Sequence, residues 1–282
     1  MKLCRFGNPG AEKPGILDNE GRIRDLSSAC SDIHSSVLSP AGLKKLAAVD
    51  ISRLPIVKND VRLGVPFRGI SKFIGIGLNY SDHAAEAGMP TPTEPIIFLK
   101  ANSSISGPDD DVIQPRGSLK LDWEVELAVV IGSTARYVSK DNALDYVSGY
   151  CIVNDVSDRG FQLQSSQWDK GKGCDTFGPI GPWLVTKDEV EDPQNLDLWL
   201  DVNGVRRQSG NTRTMIFGVR ELVSYCSHYM TLAPGDIIAT GTPPGVAMSV
   251  KPVPAWLKPG DLVELGVHGL GKQKQRVVAA QS

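Results

Sequence analysis

With 282 residues the chain can bury one large core, or one core and a small appendage. A content of 41% hydrophobic and 22% charged residues marks a globular chain and excludes a disordered or fibrous one. The formal charge of −2 offers no basic excess for nucleic acid, and no apolar run reaches the ~18 residues that span a bilayer.

The N-terminus, from Met1 to Phe6, lacks the apolar core of a signal peptide. Cys4, Cys30, Cys151, Cys174 and Cys226 form an odd, scattered set with no Cys-x-x-Cys. That argues against zinc and a disulfide framework and for a reducing cytosol, so the expected location is cytoplasmic. Generous glycine and proline predict many turns and short strands, hence a β-rich fold.

Residues 1–66 read as a small separate domain, and 67–282 as the main body. A polar turn at 18–21 predicts a hairpin over 17–23. Ser39 is placed to cap, and Pro40 to start, a helix over 40–49. Nothing in this segment looks catalytic.

A strand follows over 72–78, where glycines permit close backbone approach. Ser81 or Asp82 can then cap a short helix that Gly88 ends. His83 and Glu86, three apart, share one face of it. A carboxylate beside an imidazole fixes the ring as a general base requires; an incidental exposed ion pair is the plain alternative. Prolines at 90, 92 and 95 lead to a strand over 96–100.

The stretch 121–132, Leu-Asp-Trp-Glu-Val-Glu-Leu-Ala-Val-Val-Ile-Gly, reads as one strand. Side chains two apart project to one face, so Glu124 and Glu126 aim two carboxylates at one spot. Such a pair needs a cation, a shared proton or open water, and a hard divalent metal is the tidiest answer. Alternating Glu commonly marks a solvated sheet face, but residues 127–131 are continuously apolar, which predicts burial on both faces.

A short helix is predicted over 141–146 and a buried strand over 150–155 that ends on Asp155. The glycine-rich loop 168–179 carries Lys170 and Lys172 but lacks a Gly-Lys-Ser/Thr ending, which excludes a phosphate-binding loop. Asn203-Gly204 signals a hairpin after a strand over 198–202. An amphipathic helix over 217–229 carries Val219, Leu222, Val223 and Cys226 on one face. Residues 234–245 form a turn, a strand and a tight loop in which Thr hydroxyls and backbone N–H groups suit a carboxylate. Strands over 262–267 and 273–278 close the chain, and His228 and His268 read as structural.

Five segments occur in order: Gly-Leu-Asn-Tyr-x-x-His-x-x-Glu (77–86), Glu-x-Glu (124 and 126), Asn-Asp-Val (154–156), Gly-Lys-Gly-x-Asp-Thr-Phe-Gly-Pro (171–179) and Thr-Gly-Thr-Pro-x-Gly (240–245). Together, over about residues 70–279, they resemble the fumarylacetoacetate hydrolase family. The resemblance implies an α+β, β-rich fold, a mixed β-sandwich roll, usually assembled as a homodimer. It makes Glu124, Glu126 and Asp155 the ligands of Mg²⁺ or Mn²⁺. His83 and Glu86 become a water-activating dyad on a mobile lid, and Lys172 an electrophilic partner near the metal. Tyr80 and the segment Thr240-Gly241-Thr242 would hold a keto-acid substrate. Leu78 stands where some acylpyruvate-cleaving relatives carry a basic residue. Over the whole length the chain is most similar to bacterial hydrolases of 2,4-diketo-3-deoxy sugar acids. A family isomerase or decarboxylase of the hydroxyhepta-2,4-dienedioate type and ureidoglycolate lyase are alternatives, and a non-enzymatic metal-binding scaffold is the contrasting class.

Overall fold

The computed structural model describes every residue except Asn59 and Ser282. Its backbone is an eleven-stranded mixed sheet packed against a five-stranded one. At the centre of the large sheet lies Val125–Ile131, the acidic strand, antiparallel both to Val147–Asn154 and to Ile237–Ala239. On the latter side Phe73–Gly77 runs parallel to Ile237–Ala239, and Ile96–Lys100 forms the edge. On the other side come Gly178–Thr186 and then the N-terminal strands Lys2–Phe6, Lys13–Leu17 and Ile23–Asp25. The N-terminal segment thus extends the same sheet, with Leu3 opposite Leu184.

All seven residues of the acidic strand are buried, as the apolar run from Leu127 to Ile131 requires of its far end. Its odd-numbered side chains, Val125, Leu127, Val129 and Ile131, pack with Leu198, Leu200 and Leu265 of the five-stranded sheet and with Leu222 and Val223 of helix Val219–Tyr229. Its even-numbered Ala128 and Val130 face a second cluster with Leu3, Leu26 and Leu38 of the N-terminal segment. Glu124 and Glu126 belong to this even-numbered set, beyond the end of that cluster.

Several elements match expectation. The hairpin pairs Leu17 with Ile23, and helix Pro40–Ala47 begins where Ser39 Oγ accepts from the Gly42 N–H at 3.1 Å. Asn203-Gly204 joins Asp197–Val202 to Val205–Asn211. All five cysteines are free, and no helix among the described residues is long and apolar enough to cross a membrane.

The single strand expected over 121–132 is instead two. Leu121–Asp122 leaves the large sheet to pair with Ser157–Asp158, and Val125 starts the acidic strand after a two-residue break. The cause is Asp122, whose carboxylate accepts from the Trp123 and Ala247 N–H groups at 2.8 and 2.6 Å and turns the chain. The helix expected over 141–146 is a 3₁₀ turn, Ala143–Tyr146, and the loop 168–179 contains a helical turn, Asp169–Lys172.

Leu127 is fully buried between two sheets that share one core. Leu127→Ala is expected to cost about 2–5 kcal/mol of stability. Urea unfolding followed by circular dichroism checks this.

Candidate metal centre and active site

Antiparallel pairing assembles the centre. Val125 lies opposite Asn154, so the start of the acidic strand meets the end of its neighbour. The Asp155 N–H donates to the Glu124 carbonyl at 2.9 Å, and the Glu124 N–H donates to Asn154 Oδ1 at 3.1 Å. Glu124, Glu126 and Asp155 therefore converge, each with a carboxylate oxygen within 4.8 Å of the others, all three buried.

Three cations surround them. Lys172 Nζ donates to Glu124 Oε2 and to Asp155 Oδ2, each at 2.7 Å. Lys100 Nζ donates to Asp155 Oδ1 at 2.5 Å, and Arg159 bridges Glu124 Oε1 (2.5 Å) and Asp122 Oδ2 (2.8 Å). Burial alone would raise the Glu124 carboxyl, but Lys172 and Arg159 outweigh it and hold the group well below its usual range. Glu126 goes the other way: burial, then the charges of Asp155 and Glu124, push it well above a normal carboxylate. Its one hydrogen bond, from the Gly241 N–H at 2.9 Å, is neutral, and no cation pairs with it among the described residues.

Four buried carboxylates (Asp122, Glu124, Glu126, Asp155) thus face three cations (Lys100, Arg159, Lys172). The surplus negative charge sits at Glu126, where a proton or a further cation must answer it. Hard oxygen donors at this spacing fit a small divalent ion of the Mg²⁺ or Mn²⁺ kind.

The Thr240-Gly241-Thr242 segment clamps the acidic strand. Thr240 Oγ1 donates to the Leu127 carbonyl and Thr242 Oγ1 to the Val125 carbonyl, both at 2.9 Å, while Gly241 addresses Glu126. Gly241 adopts a φ of +95°, and a Cβ there would meet the Asn79 side chain at 2.8 Å. Thr242 borders the cavity beside the centre, whereas Thr240 and Tyr80 are fully buried. With its hydroxyl donors spent on strand carbonyls, this segment supports Glu126 directly.

That cavity, of about 340 Å³, brings His83 and Glu86 together with Glu124, Glu126 and Lys172. Helix Ser81–Glu86 places His83 Nδ1 3.2 Å from Glu86 Oε2. The helix begins after Tyr80 rather than on a capping Ser81 or Asp82. Asp82 instead accepts from Thr214 Oγ1, and Ser81 Oγ donates to the Thr214 carbonyl at 3.2 Å. Glu86 in turn accepts from the Gly245 N–H at 3.1 and 3.2 Å. Leu78, at the cavity wall, has a φ of +50°, a strained conformation for a bulky residue and one that collects at functional sites.

Lys100, Asp122, Arg159 and Gln162 escape the sequence reading. Arg159 Nη1 donates to Gln162 Oε1 at 2.9 Å, so the two act as one unit. A lone lysine closing the apolar strand Ile96–Lys100, and an arginine four residues after Asp155, are the available signals.

Comparison with known proteins places the chain among similar sequences and structures. Residues 72–278 match the family model described as fumarylacetoacetate (FAA) hydrolase C-terminal. A Burkholderia multivorans protein that carries only a provisional hydrolase name is 61% identical over 282 residues, the whole of both chains. Among solved structures, a fumarylacetoacetate hydrolase from Exiguobacterium antarcticum superposes with a TM-score of 0.89 at 36% identity, covering 99% of this chain and 100% of the other. A probable 2-hydroxyhepta-2,4-diene-1,7-dioate isomerase from Mycobacterium abscessus gives 0.85 at 33%, over 100% of both chains. Maleylpyruvate hydrolase from Sphingobium sp. SYK-6, in complex with manganese(II) and pyruvate, gives 0.84 at 30%, also over 100% of both.

Because an ion would bind the folded centre only, saturating Mg²⁺ or Mn²⁺ should raise the melting temperature relative to EDTA. At a hundredfold excess over Kd the gain is about 2.7 kcal/mol. Asp155→Asn should lose most of that gain in a thermal melt.

Proposed function

The chain belongs to the fumarylacetoacetate hydrolase family, and we propose on that premise that it is a divalent-metal-dependent hydrolase of 2,4-diketo acids. It would cleave the carbon–carbon bond of an acylpyruvate or a 2,4-diketo-3-deoxy sugar acid and release pyruvate. The observation that carries this reading is the His83–Glu86 pair on one cavity with Glu124 and Glu126, whose carboxylates Asp155 joins from behind its wall. The manganese and pyruvate of the maleylpyruvate hydrolase structure support it.

Glu124, Glu126 and Asp155 would hold Mg²⁺ or Mn²⁺, which supplies charge neutralisation and polarisation of the substrate's keto oxygen. The other steps belong to the chain's own groups. With Nδ1–H turned to Glu86, His83 Nε2 carries the lone pair and takes a proton from water. The resulting hydroxide adds to the C4 carbonyl. The C3–C4 bond then breaks, its electron pair passing to C3 as the enolate of pyruvate. Lys172 spends two of its three N–H donors on Glu124 and Asp155, leaving one for the enolate oxygen where charge develops. The proton on His83 is available to C3, which completes pyruvate and a free carboxylic acid.

An isomerase of this family shares the carboxylate centre but needs no attacking water, so the dyad favours hydrolysis. A Mg²⁺-dependent panel of acylpyruvates, sugar-derived diketo acids and ureidoglycolate, with pyruvate release as readout for the first two and glyoxylate release for the last, tests the reading. His83→Ala should lower kcat by about 10²–10⁴-fold while keeping the metal-induced thermal shift. Full turnover by that variant would remove the dyad from the mechanism.

A further inference from the structure

The cavity has two chemically different parts. Around the carboxylates nearly every polar group already has a protein partner: Arg159 is taken by Asp122, Glu124 and Gln162, and Thr242 by the Val125 carbonyl and Gln208. Outward from Lys172 the wall is aromatic. Its ammonium lies 5.0 Å from the centre of the Phe98 ring, and Phe98 meets Trp168 at 5.6 Å between ring centres and 57° between planes.

Both rings rest on a glycine floor. A Cβ at Gly75 would lie 2.2 Å from the Phe98 ring, and one at Gly77 2.4 Å from the Trp168 ring. Trp168 immediately precedes the helical turn that ends on Lys172, so one short element sets both the ammonium and the aromatic wall. Beyond the rings the lining continues with Met89, Leu163 and Met248, which leave 49%, 64% and 40% of their surface in water. Among the described lining residues, Ser249, Lys251 and the amide nitrogen of Gln162 offer that region polar groups.

We propose that this wall is the acyl-group subsite and that it selects an apolar acyl chain, aliphatic or aromatic, over a polyhydroxylated one. The inference rests on the diketo-acid reading above and narrows it to acylpyruvates with a hydrophobic acyl group, against sugar-derived diketo acids. Each methylene laid on the wall leaves water and covers side chains that are otherwise wet. Each hydroxyl brought there loses water and finds few partners, at a loss of roughly five- to a hundredfold.

The test is a homologous series on the Mg²⁺-loaded protein: acetyl-, propionyl-, butyryl-, hexanoyl- and benzoylpyruvate beside a diketo-deoxy sugar acid. The expected kcat/KM climbs about two- to fourfold per methylene, and the sugar acid falls at least about fivefold below propionylpyruvate. Trp168→Ala should flatten the climb, chiefly through KM. A flat series, or preference for the sugar acid, overturns the subsite. To separate this from failure of the diketo-acid reading, calorimetry measures binding of straight-chain 2-oxo acids, which are not cleaved. Tightening with chain length upholds the apolar subsite even if no acylpyruvate is hydrolysed. Absent or length-independent binding overturns it.

Discussion

One unmatched charge organises this molecule. Four carboxylates are buried at the mouth of a central strand and only three cations come to meet them. An uncompensated buried charge costs several kcal/mol, so the surplus must be met by a proton or a further cation. It falls on Glu126, the one member without a cationic partner among the described residues, where a proton or a divalent ion would answer it. Lys172 and Arg159 keep Glu124 ionised, and Lys100 and Lys172 fix the direction of Asp155.

The sheet makes that arrangement rigid. Both faces of the acidic strand are packed, one by the five-stranded sheet and its helix, the other by the N-terminal segment. The carboxylates stand where that packing stops and the cavity begins, on backbone that cannot slide by one residue without turning its whole apolar set the wrong way. Site precision is inherited from core packing, and so the N-terminal segment, though it holds no reactive group, bears on the chemistry.

Much of this was legible in the chain. The spacing of Glu124 and Glu126, the apolar run after them and the closing Asp155 are local patterns, and the structure joins them through one pair of hydrogen-bonded strands. What escaped is non-local. Lys100 and Arg159 come from other elements, and no periodicity says that a lysine ending one strand will reach a carboxylate 55 residues away. The break at Trp123-Glu124 escaped because it contains neither glycine nor proline; it is enforced by Asp122 accepting from Ala247, 125 positions on. The threonine segment suits a ligand's carboxylate by composition, and in the structure its Gly241 N–H donates to the protein's own Glu126 while Thr242 lines the cavity.

Glu86 touches two partners at once: it orients His83 and it receives the Gly245 N–H. A single carboxylate therefore serves as both latch and aiming device. Because His83 and Glu86 ride on the same helix, a movement of that helix away from the loop at Gly245 would carry the pair off together. On the hydrolase reading proposed above, the pair would face the cavity only while the Gly245 contact holds the helix in place.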